Sequence, residues 1–261
     1  MKPFLAAFAL ILTVAAPARG ETLQATLGLV SGHVADATGR PLAGAVLYLE
    51  MLAVSGPPLR GKTDDAGVYA VRTTHFPLLY RAHAWMPLAY RGKKYCIRIA
   101  PETEADKAEI SGPDGAVRNF RWKVQGPVDP SGAGADTDSA FYGGTLRLMP
   151  NFEDGGYDST IDLELVPDGP LIDGSTGKAL RFQVDLKKSP FVYDIPIGAY
   201  AARATRVASD GRRTPVRLGP STRDAADTAS LEFKPHDTSL ACGSATTDNG
   251  IDRAFLTLVA P

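Results

Sequence analysis

Two tight turns in one short stretch constrain this chain more than any other feature. Gly32-His33-Val34-Ala35-Asp36 runs into Ala37-Thr38-Gly39-Arg40-Pro41, and Leu42-Ala43-Gly44-Ala45-Val46-Leu47-Tyr48-Leu49 leads out. After a loop, Thr63-Asp64-Asp65-Ala66-Gly67 turns into Val68-Tyr69-Ala70-Val71-Arg72. Gly39 and Gly67 tolerate the positive φ that such corners require, Pro41 presets its own φ, and the Asp64 side chain can bond the backbone ahead of it. The apolar residues between the corners come in runs of strand length, not at helical spacing. The expected path is strand, first hairpin, strand, loop, second turn, strand.

The rest of the chain follows the same pattern. Tyr95, Ile97 and Ile99 alternate with Cys96 and Arg98, and Ile161, Leu163 and Leu165 alternate with Asp162 and Glu164. A period of two is that of a strand with one buried face. Ser209-Asp210-Gly211-Arg212 carries an Asp-Gly hairpin signal. With 26 glycines, 20 prolines and no long pattern of period 3.6, the chain reads as all-β. Strands are expected at residues 27–36, 44–53, 67–74, 82–86, 90–100 and 116–125, then at 144–148, 160–166, 180–186, 195–207, 214–218, 231–235 and 254–259. Residues 101–113 are polar and read as a loop or a turn or two of helix. The polar stretch 127–143 has no apolar anchors in its first part and reads as a flexible loop between two units, 19–126 and 144–261.

Residues 1–18 are expected to be a signal peptide. Lys2 supplies the positive start, Phe4 to Ala16 is an apolar run short for a membrane span, and Ala16-Pro17-Ala18 offers small residues for cleavage before Arg19. An uncleaved anchor is the other reading of this segment. No later stretch approaches membrane length, so no membrane span is expected in the mature chain, and the protein is expected to be periplasmic or secreted. A net charge of −1 gives no excess of Lys and Arg for nucleic acid or for an anionic membrane surface. Cys96 and Cys242 are an even pair in an oxidising compartment, which suggests one disulfide closing a long loop; two buried thiols are the alternative.

The opening segment resembles the carboxypeptidase regulatory-like domain, a transthyretin-like β-sandwich. Gly32, Val34, Gly39, Pro41, Leu42, Ala43, Gly44, Ala45 and Val46, then Thr63, Asp64, Gly67 and Tyr69, carry the resemblance over about residues 28–100. It implies that the Gly-x-x-Pro-Leu-x-Gly-Ala run makes the first hairpin, and that the unit is a structural or binding module. Ile195-Pro196-Ile197-Gly198-Ala199-Tyr200 is similar to a later element of the same kind of domain, in which a Pro-x-Gly-x-Tyr turn feeds a strand. Leu171-Ile172-Asp173-Gly174-Ser175-Thr176-Gly177-Lys178 would then be the hairpin turn of the second unit. The fold expected is thus a transthyretin-like β-sandwich followed by a second β-sandwich-like domain.

A related sandwich, that of the intradiol ring-cleaving dioxygenases, holds ferric iron with two tyrosines and a His-x-His pair. Here Tyr80-Arg81-Ala82-His83-Ala84-Trp85 stands in the corresponding place, but Trp85 replaces the second histidine. His75, His83 and Tyr80 are the residues a degenerate metal site would use. No Gly-x-Ser-x-Gly elbow and no His-Glu-x-x-His occurs. Asp136-Thr137-Asp138, Asp154-Gly155-Gly156-Tyr157-Asp158 and Asp248-Asn249-Gly250-Ile251-Asp252 have oxygen ligands at short spacing, but read as ordinary turns and do not form the twelve-residue calcium loop. No cofactor is expected. Aromatic residues give the binding hint. Phe120 and Trp122 fall on one face of a strand and Arg121 and Lys123 on the other; Trp85 sits on a neighbouring strand; Tyr142 stands beside two glycines, where exposure is expected. Trp85, Trp122, Tyr142 and Arg121 are therefore the candidate ligand-binding residues, suited to sugar stacking or capture of a peptide strand. The opposing reading places Phe120 and Trp122 in the core. The function expected is non-catalytic binding or scaffolding at the cell envelope, with a carbohydrate or protein ligand; the alternative is a metal-dependent enzyme or metal-binding protein around Tyr80 and His83.

Overall fold

The computed structural model describes residues 23–74, 76–128, 140–153, 155–236, 242 and 249–261. The expected signal peptide, His75, Asp136, Asp138, Asp154 and Asp248 lie outside them. The described residues are all-β, with no α-helix and one short 3-10 turn at Glu104–Lys107.

Nine strands from the first half of the chain make one sheet. They are β1 (Leu29–Ala35), β2 (Val46–Met51), β3 (Leu59–Lys62), β4 (Val68–Arg72), β5 (Leu79–Tyr90), β6 (Lys93–Pro101) and the two-residue pieces β7 (Ile110–Ser111), β8 (Ala116–Val117) and β9 (Phe120–Arg121). Their order is β3-β2-β5-β6-β9-β1-β4, with β7 beside β5 and β8 beside β1. The end strands β3 and β4 approach each other, so the sheet curls almost into a barrel. Gly61 permits this closure, because a Cβ there would lie 2.4 Å from Cγ2 of Val71.

The order corrects the expected first hairpin. β1 pairs with β4, β8 and β9, while β2 pairs with β3 and β5. Both turns read from the sequence are corners that carry the chain from one half of the curled sheet to the other. At the first, only an isolated bridge joins Ala35 to Pro41, and proline has no N–H with which to extend a ladder. The Asp36 carboxylate holds the corner. It accepts from the Thr38 N–H at 2.8 Å, the Thr38 hydroxyl at 2.7 Å, the Arg40 N–H at 2.9 Å and Arg40 Nε at 2.7 Å. Burial alone would raise this carboxyl, but those bonds outweigh it and hold it well below the usual carboxylate range. Asp64 does the same work at the second corner, accepting from the N–H groups of Ala66 at 3.0 Å and Val68 at 2.9 Å.

Eight strands from the second half form the other sheet: β10 (Gly144–Asn151), β11 (Thr160–Pro167), β12 (Leu180–Asp185), β13 (Phe191–Ile195), β14 (Ala199–Val207), β15 (Arg213–Gly219), β16 (Ala229–Glu232) and β17 (Ala254–Val259). The order is β12-β11-β14-β15-β17-β10-β13, with β16 beside β14, and β12 comes near β13 to curl this sheet as well. Here the hairpin expectations hold. β11 and β12 pair antiparallel across the 171–178 turn, and β14 and β15 pair across Ser209–Arg212. The Tyr200 hydroxyl donates to the Pro196 carbonyl at 2.6 Å, fixing the turn that feeds β14. The alternation pattern is also as read: Ile161, Leu163 and Leu165 are buried with Leu146, Leu148, Leu256 and Leu258.

The two sheets meet along the β5–β6 hairpin. The Tyr90 hydroxyl donates to the Pro170 carbonyl at 2.9 Å, Arg91 to the Asp168 carbonyl at 2.8 Å, and the Tyr95 hydroxyl to the Phe233 carbonyl at 2.8 Å. Lys93 pairs with Glu232 at 2.7 Å. Burial, then the Glu232 carboxylate, pushes the Tyr95 phenol up to about 12. Beyond these contacts Cys96 and Cys242 form a disulfide, a covalent bond between the sheet and the C-terminal segment. Gly250 crosses so close that a Cβ would lie 1.8 Å from the Cys96 carbonyl oxygen, at φ +88°.

Candidate functional site

The period of β5 divides its side chains between two faces. Tyr80, Ala82 and Ala84 point into the core, and Arg81, His83 and Trp85 point outward. Tyr80 is 0% exposed and its hydroxyl lies 3.0 Å from that of Thr74. His83 lies 3.2 Å from the Glu50 carboxylate on the outward side of neighbouring β2. Tyr80 and His83 therefore face opposite ways and cannot share one ligand. The described residues hold no group of three His, Cys, Asp or Glu side chains placed to bind a metal ion.

The outward face of β5 and β6 is a cleft of about 370 Å³. Arg81, His83 and Arg98 rise from the two strands. Lys107 comes from the 3-10 turn and Val128 and Tyr142 from the far wall. Burial, then the Arg98 and Arg81 charges, push the His83 imidazole below its usual value against the pull of Glu50, so it is uncharged at neutral pH. Three cationic side chains and one carboxylate, Glu104, line the cleft. Glu104 is bound to Lys107 at 2.8 Å and Arg81 approaches Glu109 at 3.4 Å, both pairs being solvent-exposed and weak.

The 3-10 turn that carries Lys107 is fixed by a buried carboxylate. Asp106 accepts from the Thr103 N–H and hydroxyl and from the Asn119 N–H at 2.8 Å, and Asn119 in turn accepts from the His33 N–H at 2.9 Å. The far wall is fixed by a closed neck. Val128 N–H donates to the Ala140 carbonyl and Tyr142 N–H to the Gly126 carbonyl, so the two ends of the expected flexible loop are tied together. Asp194 binds both ends, accepting from Gly126 N–H at 2.7 Å and Gly143 N–H at 3.2 Å. It does so from a left-handed backbone, φ 60°, rare for a residue with a Cβ. Asn249 Nδ2 adds a bond to the Gly143 carbonyl at 2.6 Å.

Of the residues singled out from the sequence, His83 and Tyr142 meet in this cleft. Tyr142 is 2% exposed, which corrects its expected exposure: Gly143 and Gly144 stand beside it for packing. A Cβ on Gly143 would lie 2.7 Å from Asp194, and one on Gly144 would lie 2.4 Å from the Phe233 ring. Trp85 and Trp122 are 2% and 6% exposed, so the three rings do not form an open stacking platform. Phe120 and Trp122 belong to the core, as the opposing reading had it. The indole N–H groups of Trp85 and Trp122 are buried without an acceptor among the described residues. Arg121 faces another groove, where it binds Glu102 and donates to the Asp36 carbonyl at 3.2 Å. Sequence reasoning missed Arg98, Lys107 and Asp194; Arg98 alone had a signal, its alternation with Ile97 and Ile99.

Neither the known protein families nor the curated proteins offer a match to this sequence. Among solved structures, the chain is similar to the TIE protein of Bacillus anthracis, at 11% identity over 89% of this chain and 34% of that one, with a TM-score of 0.36. It is also similar to a pilus adhesin of Lactobacillus rhamnosus GG, at 11% identity over 89% of this chain and 31% of that one, with a TM-score of 0.28. A shaft pilin of the same organism is matched at 12% identity over 90% of this chain and 99% of that one, with a TM-score of 0.22. The chain spans about a third of the length of the first two proteins. At these TM-scores the likenesses carry no argument about function. No helix among the described residues is long and apolar enough to cross a membrane.

Proposed function

We infer that this protein is a non-catalytic binding or scaffolding protein of the cell envelope, and that the cleft on β5 and β6 takes its ligand. The observation that carries the reading is the lining: Arg81, Arg98 and Lys107 gathered beside an uncharged imidazole and Tyr142, with a fixed wall on each side. Such a site attracts a carboxylated or sulfated group and offers no nucleophile activated by a base. The ligand is a carbohydrate or protein that presents anionic groups. The disulfide suits an oxidising compartment, in keeping with export to the periplasm or beyond. The first unit is read as a module of the carboxypeptidase regulatory-like kind, and the second, residues 144–261, as a sandwich that braces it.

Isothermal titration against an oligogalacturonate and an oligoglutamate tests this. At least one should bind. The Arg81→Ala/Lys107→Ala double variant should bind about tenfold more weakly, with a shallower dependence on salt. Silence from both probes, or unchanged affinity in the double variant, overturns the reading. A stoichiometric transition metal in the purified protein overturns its non-catalytic part.

A further inference from the structure

β12 is an end strand of the second sheet, and a regular one. It pairs with β11 over six consecutive residues, with no bulge and no proline. Among the described residues, 180–184 make no backbone bond on the side away from β11. Every second residue of such a strand turns its N–H and C=O outward, so this edge is a template for one more strand. The other sheet ends are obstructed. β3 and β4 lie against each other where the first sheet curls. β13 is broken by the left-handed Asp194 and by a shift in its register against β10. β12 parts from β13 at the turn 186–190, where the Asp185 carbonyl accepts from Lys188 N–H at 3.1 Å and Ser189 N–H at 3.0 Å.

The two faces of β12 narrow the choice of partner. Leu180, Phe182 and Val184 face the core, Val184 buried and the other two half-buried. Arg181, Gln183 and Asp185 face outward. Side chains stand perpendicular to a sheet, so these leave the edge itself clear. A second copy of β12 laid antiparallel on the first must match core face to core face. That excludes every register with an even-numbered residue opposite an odd one. A register centred on Gln183 sets Arg181 opposite Asp185 of the second copy, and symmetry repeats that pair; it also sets Phe182 opposite Val184. A centre at Phe182 leaves Arg181 opposite Gln183, and a centre at Val184 sets it opposite Lys187, a like charge. Both charged groups can take the new partner. Arg181 binds Glu164 at 2.9 Å and Asp185 binds Lys188 at 3.5 Å, in exposed and weak pairs.

We propose that β12 is a self-pairing edge: two copies of this chain join through antiparallel β12 strands about a two-fold axis at Gln183, with Arg181 of each facing Asp185 of the other. A two-fold contact uses the edge up and closes at two chains. The contact is short, so the dimer is weak, with a Kd of about 100 μM. It does not involve the β5–β6 cleft, and either reading can fail alone.

The test is sedimentation velocity of the intact, oxidised chain from about 1 μM to about 1 mM. A reversible monomer–dimer equilibrium is expected. Arg181→Asp sets carboxylates against each other at two places and should raise the Kd at least about tenfold; Arg181→Asp/Asp185→Arg restores opposite charges and should bring it back to within about threefold of the parent. Both variants place a carboxylate beside Glu164, so any effect of that change on folding is common to them. Gln183→Cys, an exposed change, should cross-link two chains in oxidising buffer, because the axis brings the two Cα atoms to about 5 Å. Arg181→Cys should not, because its two copies lie about 14 Å apart. The proposal is overturned if the chain stays monomeric throughout, if Arg181→Asp leaves the Kd unchanged or the charge swap fails to restore it, if Arg181→Cys cross-links as readily as Gln183→Cys, or if association runs on beyond two chains.

Discussion

The two sheets are closed by different means. In the first, polar side chains hold the corners: Asp36, Asp64 and Asp106 each accept several backbone bonds. The Tyr69 hydroxyl, deep in the core, donates to the Arg118 carbonyl at 2.7 Å. In the second, β11 pairs with β14 along its whole length, and β10 and β17 run parallel around an aliphatic core. Both sheets bury an apolar core; the first adds directed side-chain bonds at its corners, and the second adds long strand ladders. The cleft on the first sheet joins two strands, β5 and β6, to the 3-10 turn and the neck at Gly126–Tyr142.

The largest effect should come from cutting the link between them. A loop spanning 146 residues gives the disulfide a stabilisation of about 5 kcal/mol in the chain-entropy model. Cys96→Ser/Cys242→Ser should lower the melting temperature sharply in calorimetry, and splitting of the transition would show that the sheets then unfold separately. Leu163→Ala, in the fully buried second core, should cost about 3–4 kcal/mol in urea denaturation. A cost under about 1 kcal/mol would break this account of the second core. Asp36→Ala should cost about 2 kcal/mol, as a multiply bonded carboxylate at a corner. Because its folded pKa is depressed, that stabilisation is present above the ordinary carboxylate value near 3.9 and fades as pH falls through the folded value. The difference between parent and variant should shrink in acid. Tyr69→Phe removes one hydroxyl and should cost about 1 kcal/mol.

The smallest effect concerns His83. Its folded pKa lies below the ordinary value near 6.5, so the unfolded chain takes up the proton first as pH falls. Stability should decline from about pH 6.5 downward until the folded imidazole titrates. His83→Gln should flatten that limb of a plot of urea midpoint against pH; an unchanged slope would place the acid sensitivity elsewhere.

Much of this was legible in the sequence where one residue decided one face. The alternations about Ile97 and Leu163 placed both cores, and Cys96 fell outward of its neighbours, facing its partner. Partner choice between strands was not legible. The turn at Thr38–Pro41 has the residues of a hairpin, but β4 takes one edge of β1 and β8 and β9 take the other, which makes it a corner. The cleft was harder still. Tyr142 looked exposed because a glycine read from sequence signals conformational freedom, whereas Gly143 and Gly144 leave room for Asp194 and the Phe233 ring. Asp194 itself gave no sign, since nothing local announces a left-handed aspartate whose partners are 51 and 68 residues away.

The neck tied by Gly126, Val128, Ala140 and Tyr142 has a further effect. Asp194, on β13 of the second sheet, accepts from Gly126 and Gly143, and the two sides of the neck also bond each other, so one carboxylate positions the Val128 and Tyr142 wall of the cleft. The ligand face of the first sheet is thereby keyed to the second sheet.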